Sequence, residues 1–539
     1  MNRTALRLAA LLMSSAFANG YAHDEHLAAR PGEERLGRVH FNTSCTREAQ
    51  RKFERALAML HSFFFPETLK AFDQVIEADP TCAIAYWGLA VSARPNPLVG
   101  PFDAATLKRG LDAVRKGEAI GAKTGRERDW LAAIKAFYAD YETVDQDTRT
   151  RNYEKAMERL AKKYPNDVEA KIFHALALNE IFDHRSHAPL VQAIAILEPI
   201  GRRFSDHPGV THYLIHSYDF APLAKHGVAA ANKYAKLAPA APHAQHMPSH
   251  IYSMLGMWDA SIASNLRSVA VAKDYAAKNG LDGTLAGVPH SYDFMAYAYL
   301  QLGQDAKARA LIDEAAGIGK VIGPRVGGAT GRAAVPARYV LERQDWQGAA
   351  RLAPLGTGVE AAEAVTHFAR ALGAARSGDA AAAQADVDRL KELRADLQKT
   401  NQGYWAGQVE IQILAAQAWL AHAQGNKADA IRSMCDAADL EDASAKHVAM
   451  ENRLYPMREL FADLLLQYGR PSWALREYEA SMLNAPNRLR GYYGAARAAE
   501  ASGERAKAAG YFAKLAQLTR AADGDRAEIR ESRQRLAAR

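Results

Sequence analysis

Cysteine is scarce in this chain, which contains three cysteines among 539 residues. So few cysteines cannot hold together a disulfide-rich fold, although an oxidising compartment would permit one bridge. We expect Cys45 to pair with Cys82, because the two bracket a predicted helical hairpin whose ends should lie near each other. Cys435 lies in an apolar helical stretch, so we expect a small buried residue there rather than a nucleophile.

Long apolar runs and a strong charge of one sign are also missing. After the first residues, no segment approaches the roughly 20 apolar residues that a membrane-spanning helix needs. The 68 basic and 61 acidic residues give a formal charge of +7, spread along the chain, so nucleic acid is not the expected partner. With 49% hydrophobic and 24% charged residues, disordered and fibrous classes are excluded.

The first 22 residues have the pattern of a secretory signal peptide. Arg3 and Arg7 precede an apolar run from Leu8 to Ala18, and cleavage could follow Ala18 or Ala22. This pattern predicts a periplasmic or secreted protein. Residues 23–48 then form an N-terminal segment before the first predicted repeat.

Two neighbouring segments near the C-terminus, 455–488 and 489–522, repeat each other at an offset of 34 residues. Both read as an apolar helix, a turn at glycine and a second helix with a small residue at the crossing point. The matched residues are Ala462 and Ala496, Gly469 and Gly503, Ala474 and Ala508, and Tyr478 and Phe512.

This pattern resembles the tetratricopeptide repeat, a helix-turn-helix unit of 34 residues. About eleven such frames can be placed, with starts near 49, 83, 168, 208, 242, 289, 330, 364, 411, 455 and 489. The resemblance implies an all-α superhelix, with a His-rich groove in repeats over 49–345 and further repeats over 346–539. We expect a glycine-rich loop at 317–332 and no strands.

Segments such as Ala85-Tyr86-Trp87-Gly88 and Gly494-Ala495-Ala496-Arg497 are similar to a group of exported bacterial tetratricopeptide proteins. This resemblance implies a fold and a location and adds no substrate.

Histidine is the most informative residue type, with eighteen copies. His212 and His216 are spaced i,i+4 on one predicted helix, so their side chains share a face. His246 and His250 repeat that spacing exactly one repeat length, 34 residues, further on. The two pairs therefore occupy equivalent positions in adjacent repeats.

In tetratricopeptide proteins, positions 2, 5, 9, 12 and 13 of the first helix line the concave groove. By this register, the resemblance implies a wall of candidate metal ligands, namely His212, His216, His243, His246, His250 and His290. It also implies candidate ligand-binding residues elsewhere in the groove, namely Asp293, Tyr297, Trp87, His61, Arg338, Glu459 and Asp463. Neutral imidazoles are good ligands for Zn, Cu or Fe, and without metal they can hydrogen-bond a ligand.

Two functions remain open from the sequence. One is an exported solenoid whose His-lined groove binds a peptide, a protein or a small ligand, with or without a bound transition metal. The other is a metal-dependent hydrolase or oxidoreductase that uses the histidines as its metal site. Neither histidine pair has the glutamate of the zincin motif, since the runs are His212-Tyr213-Leu214-Ile215-His216 and His246-Met247-Pro248-Ser249-His250.

Overall fold

The computed structural model describes residues 35–537. The predicted signal peptide and the first part of the predicted N-terminal segment lie outside the described residues. From Arg35 onward the chain forms one compact unit, which continues through the division predicted between 345 and 346. None of the described helices is both long and apolar enough to cross a membrane.

Helices make up nearly all of the regular structure. The first eight are α1 Arg47–His61, α2 Phe65–Ala78, α3 Ala83–Ser92, α4 Ala104–Ile120, α5 Gly125–Tyr138, α6 Gln146–Lys163, α7 Val168–Glu180 and α8 Ala188–Arg203. The next eight are α9 Pro208–Tyr218, α10 Val228–Leu237, α11 Pro242–His246, α12 Pro248–Met254, α13 Trp258–Lys278, α14 Gly287–Gln301, α15 Asp305–Ala316 and α16 Arg325–Glu342. The last ten are α17 Trp346–Ala350, α18 Glu360–Arg376, α19 Ala380–Lys399, α20 Gly403–Ala423, α21 Lys427–Asp442, α22 Met457–Gln467, α23 Pro471–Asn484, α24 Leu489–Ala501, α25 Arg505–Leu518 and α26 Ala527–Ala537.

These helices pair into twelve consecutive hairpins, with α11 and α12 together forming one arm, and α26 following the last hairpin. The turn glycines behave as the repeat pattern requires: Gly469 has φ +67° and Gly503 has φ +79°, a backbone region that favours glycine. The predicted all-α solenoid is confirmed. The structure thus has one hairpin more than the eleven predicted frames. It consists of α5 and α6, which lie between the frames that start near 83 and 168.

Two local expectations were wrong. Thr284–Leu285 (β1) pairs in parallel with Val321–Ile322 (β2), although no strand was expected. Helix α16 begins inside the predicted loop at 317–332, despite its glycines. Glycine at position 331 serves close packing rather than a loop, because a Cβ there would lie 2.3 Å from the Pro289 carbonyl oxygen. The missing side chain lets α16 pack closely against the start of α14.

Cys45 and Cys82, the pair chosen from the sequence, are joined by a disulfide, with Cα atoms 5.0 Å apart. The bond links the segment before α1 to the residue that caps α3. Cys435 is a partly buried free cysteine. Pro248 divides the arm of the sixth hairpin into α11 and α12, because proline cannot donate the backbone hydrogen bond that a continuous helix needs.

The segment between α21 and α22, residues 443–456, runs back across the inner side of the helical repeats; we call it the inner segment. Its Ala445 N–H donates to the His184 carbonyl (2.7 Å), and Lys446 Nζ contacts Asp219 Oδ2 (2.6 Å). Further along, three carbonyls of the segment accept hydrogen bonds from Arg338. The expected groove is therefore filled here by the protein's own chain.

Candidate metal centre

Six of the histidines singled out in the sequence meet in two groups of three. The first trio consists of His212 and His216 on α9 and His243 on α11, and the second consists of His246 on α11, His250 on α12 and His290 on α14. Each trio combines an i,i+4 pair from one repeat with a histidine near the start of the next repeat's first helix. The two trios are thus built in the same way.

The ring nitrogens within each trio converge. In the first trio, His212 Nε2 lies 3.0 Å from both His216 Nε2 and His243 Nε2. In the second trio, His246 Nε2 and His250 Nε2 are also 3.0 Å apart. Nitrogens that share one metal ion at about 2.1 Å lie roughly 3.0 to 3.4 Å from each other, so the three 3.0 Å separations fit shared ligation. A ring nitrogen of His290, the third member of the second trio, lies within 4.8 Å of the other two.

The protons on two of the three rings in the second trio are fixed by neighbours outside it. His246 Nδ1 lies 2.6 Å from Asn265 Oδ1, and the Asn265 amide is oriented by its own donation to the Ser261 carbonyl (2.9 Å). His250 Nδ1 lies 2.8 Å from Asp219 Oδ2. Both partners are acceptors, so both Nδ1 atoms carry the proton. The Nε2 lone pairs of neutral His246 and His250 therefore face each other with no proton between them.

The first trio shows a similar arrangement. His212 Nδ1 donates to the His61 carbonyl (2.7 Å), which leaves one lone pair at Nε2 facing two other imidazoles. One lone pair cannot satisfy both neighbours. His216 Nδ1 is buried without a hydrogen-bond partner, and His290 Nδ1 in the second trio has the same condition. Both trios thus hold more ring nitrogens than hydrogen bonds can satisfy.

Burial keeps these imidazoles neutral. Removal from water lowers the pKa of His246 to about 4, and it holds the pKa of His212, His216 and His250 well below the ordinary value. Neighbouring histidines add to the effect, since two close positive charges would repel. Metal ions bind the neutral form of imidazole, so the trios are in the right state to act as ligands.

A third group of buried histidines lies beside the first trio. In this Glu169 network, His61 Nε2 and His207 Nε2 donate to the two carboxylate oxygens of Glu169 (2.9 and 2.8 Å), while His61 Nδ1 accepts from the Tyr213 hydroxyl (2.9 Å). His207 Nδ1 accepts from the Val210 N–H. Burial would raise the pKa of Glu169, but His207 and His61 outweigh it and hold that pKa well below its usual range. Every ring nitrogen here has a partner.

The Glu169 network supports the first trio through the backbone, because the His61 carbonyl is the acceptor for His212 Nδ1. Helix α9 can approach His61 because residue 209 is glycine: a Cβ there would lie 2.3 Å from His61 Nδ1. Phe63 packs edge-on against the His212 ring (4.5 Å between centroids) with φ at +51°, an uncommon backbone conformation for a bulky residue. The backbone around His61 is thus fitted closely to the first trio.

Each trio has one partly exposed histidine, which comes from the same position in the repeat. His243 and His290 are partly exposed, while the other four rings are buried. Phe294 packs against all three rings of the second trio, at centroid distances of 4.8 to 5.1 Å. The least buried residue of each trio is thus the histidine contributed by the following repeat.

The other residues predicted to line the groove are buried, which corrects the expected open surface. Trp87 packs against Phe41, Trp130 and Phe173 in the core. His61 belongs to the Glu169 network. The tetratricopeptide register predicts which residues lie on the concave face. It cannot show that another part of the chain covers that face.

Buried ion pairs account for the remaining five predicted groove residues. Asp293 forms a buried ion pair with Arg338 (2.6 Å). Arg488 binds Glu459 (2.7 Å) and also the Tyr297 hydroxyl. Asp463 is paired with Arg376 (3.4 Å) and Tyr478. Arg338 also donates to carbonyls of the inner segment, and the other two pairs join helices of different repeats.

Sequence reasoning missed the residues that orient the trios. Asn265 and Glu169 carry no local signal, because their partners come from other helices. Asp219, which fixes the His250 proton, follows a different helix from its partner and also carries no local signal. Lys446, which neutralises Asp219, had a usable signal: the frame starting near 411 ends ten residues before the frame at 455, which marks an insertion.

Comparison with solved structures gives distant matches. The chain matches no protein-family model and no curated protein sequence. The human IFIT1 dimer with m7Gppp-AAAA aligns over 82% of this chain and 90% of that chain, at 11% identity and a TM-score of 0.37. The human IFIT1 dimer with PPP-AAAA aligns over 87% and 89%, at 11% identity and a TM-score of 0.35. Similarity this low says nothing about what the chain binds.

The helical-repeat architecture expected from the sequence is therefore established by the fold itself. Membership of the tetratricopeptide family and bacterial export stay predictions.

Proposed function

We propose that this protein binds transition-metal ions, one in each histidine trio. The observation that carries the proposal is the 3.0 Å approach of His246 Nε2 to His250 Nε2, with both Nδ1 protons committed to Asn265 and Asp219. Two lone pairs at this distance repel unless a cation lies between them. A metal ion removes the repulsion and uses both lone pairs.

The surroundings of the histidines support the same proposal. Metal-binding histidines usually donate their other ring N–H to a carboxylate, a carbonyl or a similar acceptor, which fixes the tautomer. His212 donates to a backbone carbonyl, His246 to an amide oxygen and His250 to a carboxylate. Three of the six candidate ligands thus have the outer hydrogen bond that orients a ligand.

The ligand set favours a group of metals. Imidazole suits Zn, Cu, Fe and Ni, whereas Mg, Ca and Mn favour oxygen ligands. Three protein ligands per ion also leave a coordination position for a further molecule, as in catalytic rather than closed structural sites. A metal-dependent enzyme is therefore better supported than a protein that binds peptide along its groove, where the inner segment lies.

Metal analysis of the purified full chain tests the proposal. Metal-free protein is incubated with Cu(I), Zn(II), Ni(II) or Fe(II) under anaerobic conditions, desalted, and analysed for bound metal per chain. We expect two tightly bound ions of at least one of these metals. His246→Ala/His250→Ala and His212→Ala/His216→Ala should each retain one.

An exposed histidine provides the matched control. His226 lies outside both trios on the surface, and His226→Ala should retain two ions. Circular dichroism and gel filtration check that each variant is folded. Sub-stoichiometric metal in the wild-type chain, or equal loss in the control and the trio variants, would overturn the proposal.

A further inference from the structure

The two trios are close enough to act together. The ring centroids of His216 and His250 are 6.1 Å apart, and those of His243 and His246 are 6.2 Å apart. Each of these pairs joins one trio to the other. The two groups are therefore neighbouring parts of one cluster of six imidazoles.

Shared structural elements hold the trios in a fixed relation. The short helix α11 supplies His243 to the first trio and His246 to the second, three residues apart. Helix α9 carries His212 and His216, and the residue that follows its last turn, Asp219, orients His250 of the second trio. A shift of either helix would disturb both trios.

The charge of the cluster distinguishes among metals. The two trios offer six neutral imidazoles and no carboxylate ligand. The nearest carboxylate that touches a trio, Asp219, is already neutralised by Lys446 Nζ at 2.6 Å. Because burial penalises uncompensated charge, two divalent ions without anions would be costly, and two univalent ions would cost much less. Of the metals that imidazole binds well, copper has a stable univalent state.

We infer that the two trios form a binuclear copper centre that takes up dioxygen. This inference rests on the proposed metal binding and adds the identity of the metal and its reactivity. Each Cu(I) transfers one electron to a single O2 molecule, so two Cu(I) become two Cu(II) and O2 becomes peroxide bound between them. No proton moves, and release of O2 reverses the step.

The buried position suits this reaction because the net charge does not change. Before the reaction, the centre carries the two positive charges of two Cu(I) ions. Afterwards, two Cu(II) ions and one peroxide dianion carry the same net charge. The reaction therefore adds no desolvation cost in these low-polarity surroundings. Dioxygen is also a small ligand, which suits a cluster in which four of the six histidines are buried and two are partly exposed.

Oxygen uptake and electron paramagnetic resonance together test this inference. The full chain is loaded anaerobically with two equivalents of Cu(I), exposed to O2, and monitored with an oxygen electrode. We expect one O2 consumed per two copper ions, and a Cu(II) resonance of less than a tenth of the copper present, because the paired ions are magnetically coupled.

Variants that keep one trio supply the matched comparison. After treatment with an oxidant such as ferricyanide, His212→Ala/His216→Ala and His246→Ala/His250→Ala should each give the full resonance of one isolated Cu(II). Neither variant should show the stoichiometric O2 uptake of the wild type. These variants thus allow each metal site to be measured with and without its neighbour.

The outcomes separate the inference from the proposal on which it rests. If copper and the other metals fail to bind, the metal-binding proposal fails. If two coppers bind but the oxidised wild type gives the resonance of two isolated ions, or takes up no O2, the binuclear centre is wrong while metal binding stands. Uptake of O2 in proportion to copper in the single-trio variants would also overturn it.

Discussion

The two histidine trios and the Glu169 network both gather buried imidazoles, but they differ in where the ring protons can go. In the network, the carboxylate accepts from two rings and the Tyr213 hydroxyl donates to His61, so donors and acceptors match. In the second trio, His246 and His250 meet lone pair to lone pair. Proximity alone therefore does not identify a metal site, and the arrangement of protons separates a closed network from a set of free ligands.

This difference has an energetic consequence. A satisfied buried network stabilises the fold without any added ion, and removing one member leaves the others unpaired. A group of facing lone pairs destabilises the metal-free fold and becomes favourable only when a cation binds. The comparison can be tested by changing one region at a time.

The largest effect is expected when the carboxylate of the network is removed. Glu169→Ala leaves His61 and His207 without an acceptor in the interior and should lower the free energy of unfolding by about 3–5 kcal/mol. Urea denaturation measures the change. The matched control is Glu158→Ala at a partly exposed position, which breaks a surface pair with Lys162 and should cost less than about 0.5 kcal/mol. Equal costs would mean that the network is not stabilising.

A sharper contrast comes from replacing one buried ring in each region with leucine. His61→Leu removes a donor to Glu169 and should cost about 2–3 kcal/mol whether or not metal is present. His216→Leu removes a ring whose Nδ1 has no partner, so the metal-free protein should change by less than about 1 kcal/mol.

Added metal should then raise the melting temperature of the wild type more than that of His216→Leu, because binding to the folded state stabilises it. Thermal unfolding of the wild type and of His216→Leu, each with and without metal, measures these melting temperatures. A large loss of stability in metal-free His216→Leu would show that the first trio is a satisfied structural network after all.

A smaller effect should follow from the glycine that joins the two regions. In Gly209→Ala the new Cβ would meet His61 Nδ1 at 2.3 Å, which should cost about 1–3 kcal/mol and weaken metal binding at the first trio. The matched control is Gly407→Ala in α20, where a Cβ meets nothing within 4 Å. That change should stabilise the helix by up to about 1 kcal/mol. Unaltered metal content in Gly209→Ala would contradict support of His212 by His61.

The last expected difference between the two regions is in pH dependence. Burial and neighbouring histidines hold the pKa of His216 well below 6.5 in the folded metal-free protein, so only the unfolded chain takes up this proton as the pH falls below about 6.5. The wild type should therefore lose more stability than His216→Leu as the pH falls, by a difference that approaches about 1.4 kcal/mol per pH unit well below pH 6.5. Urea denaturation between pH 7 and pH 5 measures both slopes, and parallel curves would contradict the assignment.

Much of the fold could be read from local patterns. Helices, glycine turns and the 34-residue offset depend on residues near each other in sequence, which is why the hairpins and both i,i+4 pairs were found. The pairing of His243 with His212 could not be found this way. Register placed His243 in the same repeat as His246, but the superhelix turns its ring toward the preceding repeat.

The predicted open groove failed for a related reason. The repeat register shows which residues face the concave side, and Arg338 and Asp293 do face it. It does not show what covers that side. The inner segment reaches Asp219 from 227 positions away and Arg338 from more than 110 positions away, and no local pattern encodes contacts of that range.

The sequence by itself thus determined the helical repeats and the repeated placement of histidine pairs, because both follow from the geometry of a single helix. Only the tertiary structure decided which histidines have lone pairs to offer. A ring proton goes to whichever acceptor lies nearest in space, and for His212 and His250 those acceptors lie 151 and 31 positions away. The difference between the trios and the Glu169 network exists only in the folded chain.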